Sequence, residues 1–387
     1  MTIREVPFIA LGGAYEQDDL EAVTRVVSAA MAEGGSFFPL PEENEFQAAL
    51  ARHEGARKAI AVNSCGTALD CSMMALGIQA GDEVITTPLT FVCTAGTAVA
   101  RGARAVFADI DPVTWNLDPV RVRQRITRKT RAIIPVHFAG LACDVDAFEA
   151  ISADTGIPVI YDAAHAVGTK HKGKPIGGCG KASCYSFQSN KNMTCLGEGG
   201  AVTTNDEEFA ERVRQFKTFG YVYGPALRVV SIGFNYRMTK VQYAVGLTQL
   251  AKVDRVIRDR QVRMMQLSAL LSGVEEVILP HGLGPEHGSH LYVIRVDTDK
   301  VKFSAAEFAA HLKNKYKVGT AKHYPAVWTW EAFQKLGYSG EGCPIAAQVC
   351  EQVISLPVFP HTTQEDLQYI AWAVKQTLAD LRGTTRV

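Results

Sequence analysis

The sequence predicts an α/β protein built on a mostly parallel, doubly covered sheet, followed by a smaller C-terminal α+β unit. Three observations carry this: short apolar runs alternate with helical stretches from Ala59 to Thr204, a helical apolar pattern runs on from Leu250, and the chain has 387 residues. Single cores stop growing near roughly 250 to 300 residues. Two unequal domains are therefore expected: a large one over residues 1–250, with an N-terminal arm over about residues 1–25, and a small one over 251–387.

The apolar runs are AIAV, EVITT, ARAVFADI, RAIIPV, IPVIYD, ASCYSF and GAVTT. Each is short and bounded by Gly, Pro or Asp, as buried parallel strands are, and several intervening segments are long enough for crossover helices. Such alternation points to a layered α/β core. Further on, Leu250, Val253, Ile257, Met264, Leu267 and Leu271 recur at helical spacing, predicting one long amphipathic helix. The loop HGLGPEHGSH and the alternating run HLYVIRVD then open the small unit.

Composition narrows the function. An apolar share of 47%, a charged share of 21% and aromatics at 9% fit a folded globular chain and exclude disorder, collagen and coiled coil. Forty basic and forty acidic residues sum to zero charge, so no long-range field gathers nucleic acid or an anionic membrane. The basic run RVRQRITRKTR reads as a solvated helix face ahead of a strand rather than a phosphate patch. No apolar stretch approaches the roughly 18 residues of a membrane span, and MTIREVPF is charged where a signal peptide would be apolar. A cytoplasmic protein is expected. The nine scattered cysteines form no CxxC pair, predicting free thiols, no disulfide framework and no metal site.

The chemistry concentrates at strand ends. SFQSNKNMTCLGEGGAV carries a single lysine, Lys191, with no charged neighbour before Glu198, whereas most other lysines sit among charges. A lysine in neutral surroundings has a lowered pKa and can act as an amine nucleophile. VIYDAAHAVG ends a strand at Asp162, where open α/β sheets bind ligands. That aspartate suits a protonated pyridine nitrogen, such as that of pyridoxal phosphate, or else a helix N-cap. His165, three residues on, could face the same ring or be a structural histidine. NSCGTAL opens a helix with Gly66 and Thr67, an arrangement that suits a phosphate monoester but that also caps helices binding nothing. Phe91, in TTPLTFVCT, could stack on a flat heterocycle or simply pack in the core.

Taken with VFADIDPVTWNLDP, AIIPVHFAG, GFNYRMTKVQYAVGLTQL, AKHYP and ISLPVFPHTT, these stretches make the chain resemble the DegT/DnrJ/EryC1/StrS family of pyridoxal-phosphate enzymes, mostly sugar aminotransferases, over nearly its full length. The resemblance implies a fold-type I enzyme, usually a homodimer whose active sites are built from both subunits. It implies Lys191 as the Schiff-base lysine and acid/base, Asp162 as the pyridinium partner and His165 near the ring oxygen. Gly66, Thr67 and Ser186 match phosphate contacts and Phe91 the stacking ring. Asn235 matches a residue reaching the neighbouring subunit's phosphate, with Arg237 beside it. His323 and Tyr324 match a substrate-side segment, with a buried strand end as the other reading.

A lysine at 191 favours amino transfer, because a branch of the family with histidine there performs a 3-dehydration. Gln188 stands where many nucleotide-sugar members have histidine and resembles members acting on free cyclitol ketones or making aminohydroxybenzoate. The implied reaction moves an amino group from glutamate or glutamine to a keto group of a sugar or cyclitol. The alternatives are a dehydrating, aromatising enzyme and a non-catalytic sugar-binding regulator. A Rossmann dehydrogenase is set aside because no GxGxxG follows the first strand.

Overall fold

The computed structural model describes residues 2–8, 12–32, 37 and 40–384. Parts of the predicted arm, residues 1 and 9–11, and the last three residues of the predicted C-terminal unit lie outside them.

All seven predicted runs form strands: β1 (Lys58–Val62), β2 (Glu83–Thr86), β3 (Arg104–Phe107), β4 (Thr130–Ile134), β5 (Ile160–Asp162), β6 (Ala182–Ser186) and β7 (Gly200–Thr204). Their spatial order is β3-β2-β4-β5-β6-β7-β1, the β4–β5 junction being made by parallel bridges Ile133–Val159 and Val136–Asp162. Pairing is parallel from β3 through β6. The exception is β7, antiparallel to both β6 and β1. GAVTT was expected to be parallel, and the reason it is not is local. A parallel return needs a crossover of a dozen or more residues, usually a helix. Residues 187–199 make no helix and form the loop that carries Lys191.

The helices cover both faces. In the first half of the chain they are α1 (Gln17–Ala32), α2 (Glu42–His53), α3 (Cys65–Leu76), α4 (Cys93–Ala100), α5 (Pro119–Arg125), α6 (Val145–Thr155) and α7 (Glu207–Lys217). α3 lies across the sheet with Ala68, Leu69, Cys71 and Met73 buried. The basic run divides between α5 and β4, and Arg121, Arg123 and Arg131 pair with Asp118, Asp154 and Asp82, as a solvated face should. All nine cysteines are free.

The long helix, α8 (Lys240–Leu271), starts ten residues before Leu250 and runs unbroken through the expected domain boundary. A Thr239/Gln242 capping box sets its start. Its first half packs on α1 and α2, where Gly246 is needed: a Cβ there would stand 2.7 Å from the Phe46 ring. Its second half, with Met264, Leu267 and Leu271, joins the C-terminal core. That core packs the antiparallel strands β8 (Val277–Ile278), β9 (Tyr292–Val296) and β10 (Val353–Leu356) against α9 (Ala305–Tyr316) and the terminal helix Gln364–Thr384. Val6 of the arm also belongs to it, bridging to Val318.

Candidate active site

A cavity of about 510 Å³ opens at the carboxyl ends of the central strands, a size that suits a cofactor with part of a substrate. Its phosphate-like corner is the start of α3. Ser64 is the N-cap, its Oγ accepting from Thr67 N–H, and the Thr67 hydroxyl accepts in return from the Ser64 amide. The turn is held close to the sheet because β7 passes it at Gly200, where a Cβ would lie 2.4 Å from the Ser64 carbonyl carbon. At Gly66 the opposite holds, with nothing nearer than 3.7 Å to an added Cβ. The helix start therefore presents an open, amide-rich surface to the cavity, which suits an anion. Ser186, at the end of β6, lines the same cavity.

Asp162 ends β5 and is buried. Its Oδ2 accepts from Thr94 Oγ1 at 2.7 Å, and its Oδ1 accepts from Ala164 N–H at 3.0 Å and, weakly, from the Cys65 thiol at 3.7 Å. Burial raises its pKa, and these hydrogen bonds only partly offset that. Among the described residues no cationic side chain forms an ion pair with it. A buried carboxylate without a counter-cation fits a cationic ring nitrogen.

Lys191 projects from the loop between β6 and β7 into the same space. Burial lowers its pKa to about 8, against the attraction of nearby acidic groups. Among the described residues the only hydrogen-bond partner of its amine is His290 Nε2, at 3.4 Å. His165 Nδ1 accepts from the Ala139 amide, so the neutral ring carries its proton on Nε2 and donates it to the Tyr324 hydroxyl at 2.9 Å. Burial, with Lys191 nearby, holds the His165 pKa well below the usual imidazole range, so the ring stays neutral. Phe91 is 56% exposed at the cavity wall, edge-on to Tyr324 at 6.1 Å between centroids. His323 also lines the cavity and bonds Ser355 Oγ at 2.8 Å.

The sequence profile of the DegT/DnrJ/EryC1/StrS aminotransferase family matches residues 16–375. The chain belongs to that family. Within similar proteins, the spore coat polysaccharide biosynthesis protein SpsC of Bacillus subtilis is 36% identical, the match covering 93% of this chain and 94% of that one. A pleiotropic regulatory protein of Geobacillus stearothermophilus is 35% identical over 94% of this chain and 96% of its own. Among solved structures, Helicobacter pylori PseC, an aminotransferase in pseudoaminic acid biosynthesis, superposes with a TM-score of 0.89 at 26% identity. That match covers 97% of this chain and 100% of the other.

In this member of the DegT/DnrJ/EryC1/StrS family the cavity gathers Gly66, Phe91, Asp162, His165, Ser186, Gln188, Lys191, His323 and Tyr324. Three expected residues stand apart. Thr67 does not line the cavity, and its hydroxyl is committed to the capping box and to Asn63 Oδ1 at 2.8 Å. Asn235 is exposed, and its Oδ1 accepts from Arg237 Nε at 2.9 Å. Arg237 lines a separate cleft with Glu43, Lys58 and Arg214.

Sequence reasoning read Ser64 and Cys65 only as part of the helix opening, and missed Thr94 and His290 and the contacts of Thr94 and Cys65 with Asp162. Ser64 was legible, since S-x-x-T before an apolar helix is a capping signature. His290 was not, because 99 residues separate it from Lys191.

Proposed function

We propose that this aminotransferase moves an amino group from glutamate or glutamine to a keto group of a sugar or cyclitol. The observation that carries this is the meeting of an under-partnered Lys191 amine and an unpaired buried Asp162 in one cavity beside the start of α3.

The cofactor of the family is pyridoxal 5′-phosphate, and the donor set fits it. The first turn of α3, with Ser64 and Gly66, and Ser186 would hold the phosphate. Asp162 would hold the ring nitrogen, Phe91 the ring face and Lys191 the aldehyde carbon. When bound, the cofactor supplies the electron sink for breaking the C–H bond. With a pKa near 8, Lys191 can take a proton from the substrate carbon and return it at neutral pH. Thr94, the Ala164 amide and Cys65 keep the Asp162 carboxylate aimed. His165 acts through Tyr324, fixing that hydroxyl at the cavity wall. Gln188 is itself tied by the Asn190 amide at 2.9 Å and borders the substrate side.

The site residues remote from the cavity fit a homodimer with shared active sites. Asn235 sits at the base of an exposed apolar segment that includes Tyr223, Leu227, Val229 and Ile232, the last 82% exposed, and exposed apolar clusters of this kind mark interfaces. A large cofactor domain to about residue 250 and a small C-terminal domain would share the cleft. No helix of the described residues is long and apolar enough to cross a membrane, and nine free thiols suit a cytoplasmic setting.

Gln188 favours a second reading, an aminohydroxybenzoate-type aromatising reaction. A regulatory role, suggested by the name of the Geobacillus relative, predicts ligand binding without turnover. The test is a half-reaction. Purified protein loaded with pyridoxal phosphate should lose its visible cofactor band on adding glutamate or glutamine, release the 2-keto acid, and then aminate a keto-sugar. Failure to exchange amino groups with either donor overturns the proposal, and an aromatic product replaces it with the second reading.

A further inference from the structure

The loop HGLGPEHGSH delivers two buried histidines, His287 and His290, just before β9. His287 is satisfied within its own turn, its Nδ1 meeting the Ser289 amide at 2.8 Å. His290 is not: among the described residues its Nδ1 is buried without a partner, while its Nε2 meets Lys191 Nζ. A buried ring nitrogen left unpaired destabilises the fold, and a histidine with only a packing role would be replaced by an apolar ring without that loss.

The backbone around His290 is unusually constrained. Arg260 of α8 is fully buried and, among the described residues, has no carboxylate partner. It donates instead to three carbonyl oxygens: Ser289 at 2.7 Å, Gly12 at 3.2 Å, and His290. Gly12 in turn donates to Ser189 at 3.0 Å, on the lysine loop, and has no room for a side chain, since a Cβ would overlap the Asn190 carbonyl. On the other side, the His290 amide donates to Ala139 O at 3.0 Å, and the Ala139 amide donates to His165 Nδ1. Ala139 has φ +56°, a left-handed conformation that alanine adopts only under constraint. One guanidinium and one strained turn therefore fix the two imidazoles, 4.6 Å apart between centroids, against Lys191.

We propose that His290 is a further positioning residue of the aminotransferase site: its Nε2 accepts a hydrogen bond from the Lys191 amine and aims that amine into the cavity, and Arg260 holds His290 in place. The assignment rests on the reading of Lys191 as the cofactor-binding lysine. The groups facing His290 are Lys191, His165, Arg260 and His323, all of which oppose a charge on it, as does burial. It therefore stays a neutral acceptor. Lys191 also feels Cys65, Asp162, Cys93 and Glu198. Because an ammonium has only donors, a neutral acceptor stabilises its charged form and orients it.

The test is competitive acylation of the cofactor-free protein with acetic anhydride across pH, read on the Lys191 peptide by mass spectrometry. In the wild type the inflection should lie near 8. His290→Phe removes the acceptor without admitting water and should move the inflection down by roughly one pH unit. His290→Gln, whose amide oxygen can still accept, should stay near the wild type. Arg260→Lys keeps the charge but loses the three-carbonyl fork, so it should shift the curve in the same direction as His290→Phe. The double variant should shift no further than His290→Phe alone. If His290→Phe does not fold, His290→Leu carries the same expectation. An unmoved inflection in the aprotic variant, or additive shifts in the double variant, overturns the proposal. Borohydride trapping of pyridoxal phosphate on wild-type Lys191 is run alongside. Its absence defeats the functional reading, whereas trapping with an unmoved aprotic variant defeats only the role of His290.

Discussion

Burial lowers the pKa of two lysines of this chain, Lys191 and Lys217, and their surroundings differ. Lys217, at the end of α7, is 2% exposed, and its amine donates to Glu43 Oε1 at 2.5 Å, Ala61 O at 2.9 Å and Gln47 Oε1 at 3.4 Å. Lys191 has one long contact to a neutral imidazole. At Lys217 a carboxylate and two further acceptors replace the lost water, making the group a clamp between α2, α7 and β1. At Lys191 the amine keeps unused hydrogen-bonding capacity facing a cavity. The contrast separates a lysine that holds structure from one available for chemistry, and it rests on their partners.

The comparison breaks most visibly by exchanging its two losses. Lys191→Ala should abolish covalent capture of pyridoxal phosphate and lower amino transfer by roughly 10²- to 10⁴-fold, with little change in the urea midpoint. Lys217→Met should do the reverse. It strands Glu43 without its cation, which costs about 3–5 kcal/mol for a buried pair, while folded protein keeps its turnover. Urea denaturation and single-turnover kinetics on both variants decide it. Equal effects of the two substitutions on both measurements would erase the distinction.

A smaller effect sharpens the same idea at Asp162. Asp162→Asn preserves shape and can still accept from Thr94, but it removes the charge expected to hold the ring nitrogen cationic. Losing a hydrogen bond to a charged group costs roughly ten- to hundredfold, so the half-reaction with glutamate should slow by about that factor while cofactor still binds. Because burial raises the Asp162 pKa in the cofactor-free chain, its charge costs stability there. Cofactor-free Asp162→Asn should then be no less stable than wild type near neutral pH, as a thermal melt would show.

Much of this was legible before any coordinates, for a physical reason. Strands ending in Asp162 and Ser186, the capping signature at Ser64 and the glycine-bracketed lysine loop are local features, written in consecutive residues. What was not legible arises from chain segments meeting. The reversal of β7 depends on residues 187–199 being spent on the lysine loop. The close packing of α8 on α2 depends on Gly246 letting Phe46 approach. The Arg260 contact with Gly12 spans 248 residues, and no spacing rule anticipates it. At Thr67 the sequence shows a hydroxyl but not its commitments, which are to the Ser64 backbone and Asn63 Oδ1.

The mildest expected effect lies at a third buried polar site, which behaves like the Lys217 clamp. Glu54, buried at the end of α2, accepts from Tyr185 at 2.8 Å, from the Gly168 amide at 3.0 Å and from His53 Nδ1 at 2.9 Å. His53 also meets Asp254 of α8 through Nε2 at 3.0 Å. Burial alone would lower the His53 pKa, but the hydrogen bonds and charges of Glu54 and Asp254 outweigh it and raise the value from 6.5 to about 9. A pKa raised on folding contributes stability that is fully present below the unfolded value and is lost as pH rises through the folded one. Stability should therefore decline between pH 6.5 and about 9, and His53→Gln should flatten that decline while leaving Lys191 chemistry untouched. Urea midpoints at pH 6 and pH 9.5 measure it. A wild-type midpoint that is no lower at the higher pH, or the same decline in His53→Gln, would mean that Glu54 is held by Tyr185 and Gly168 alone.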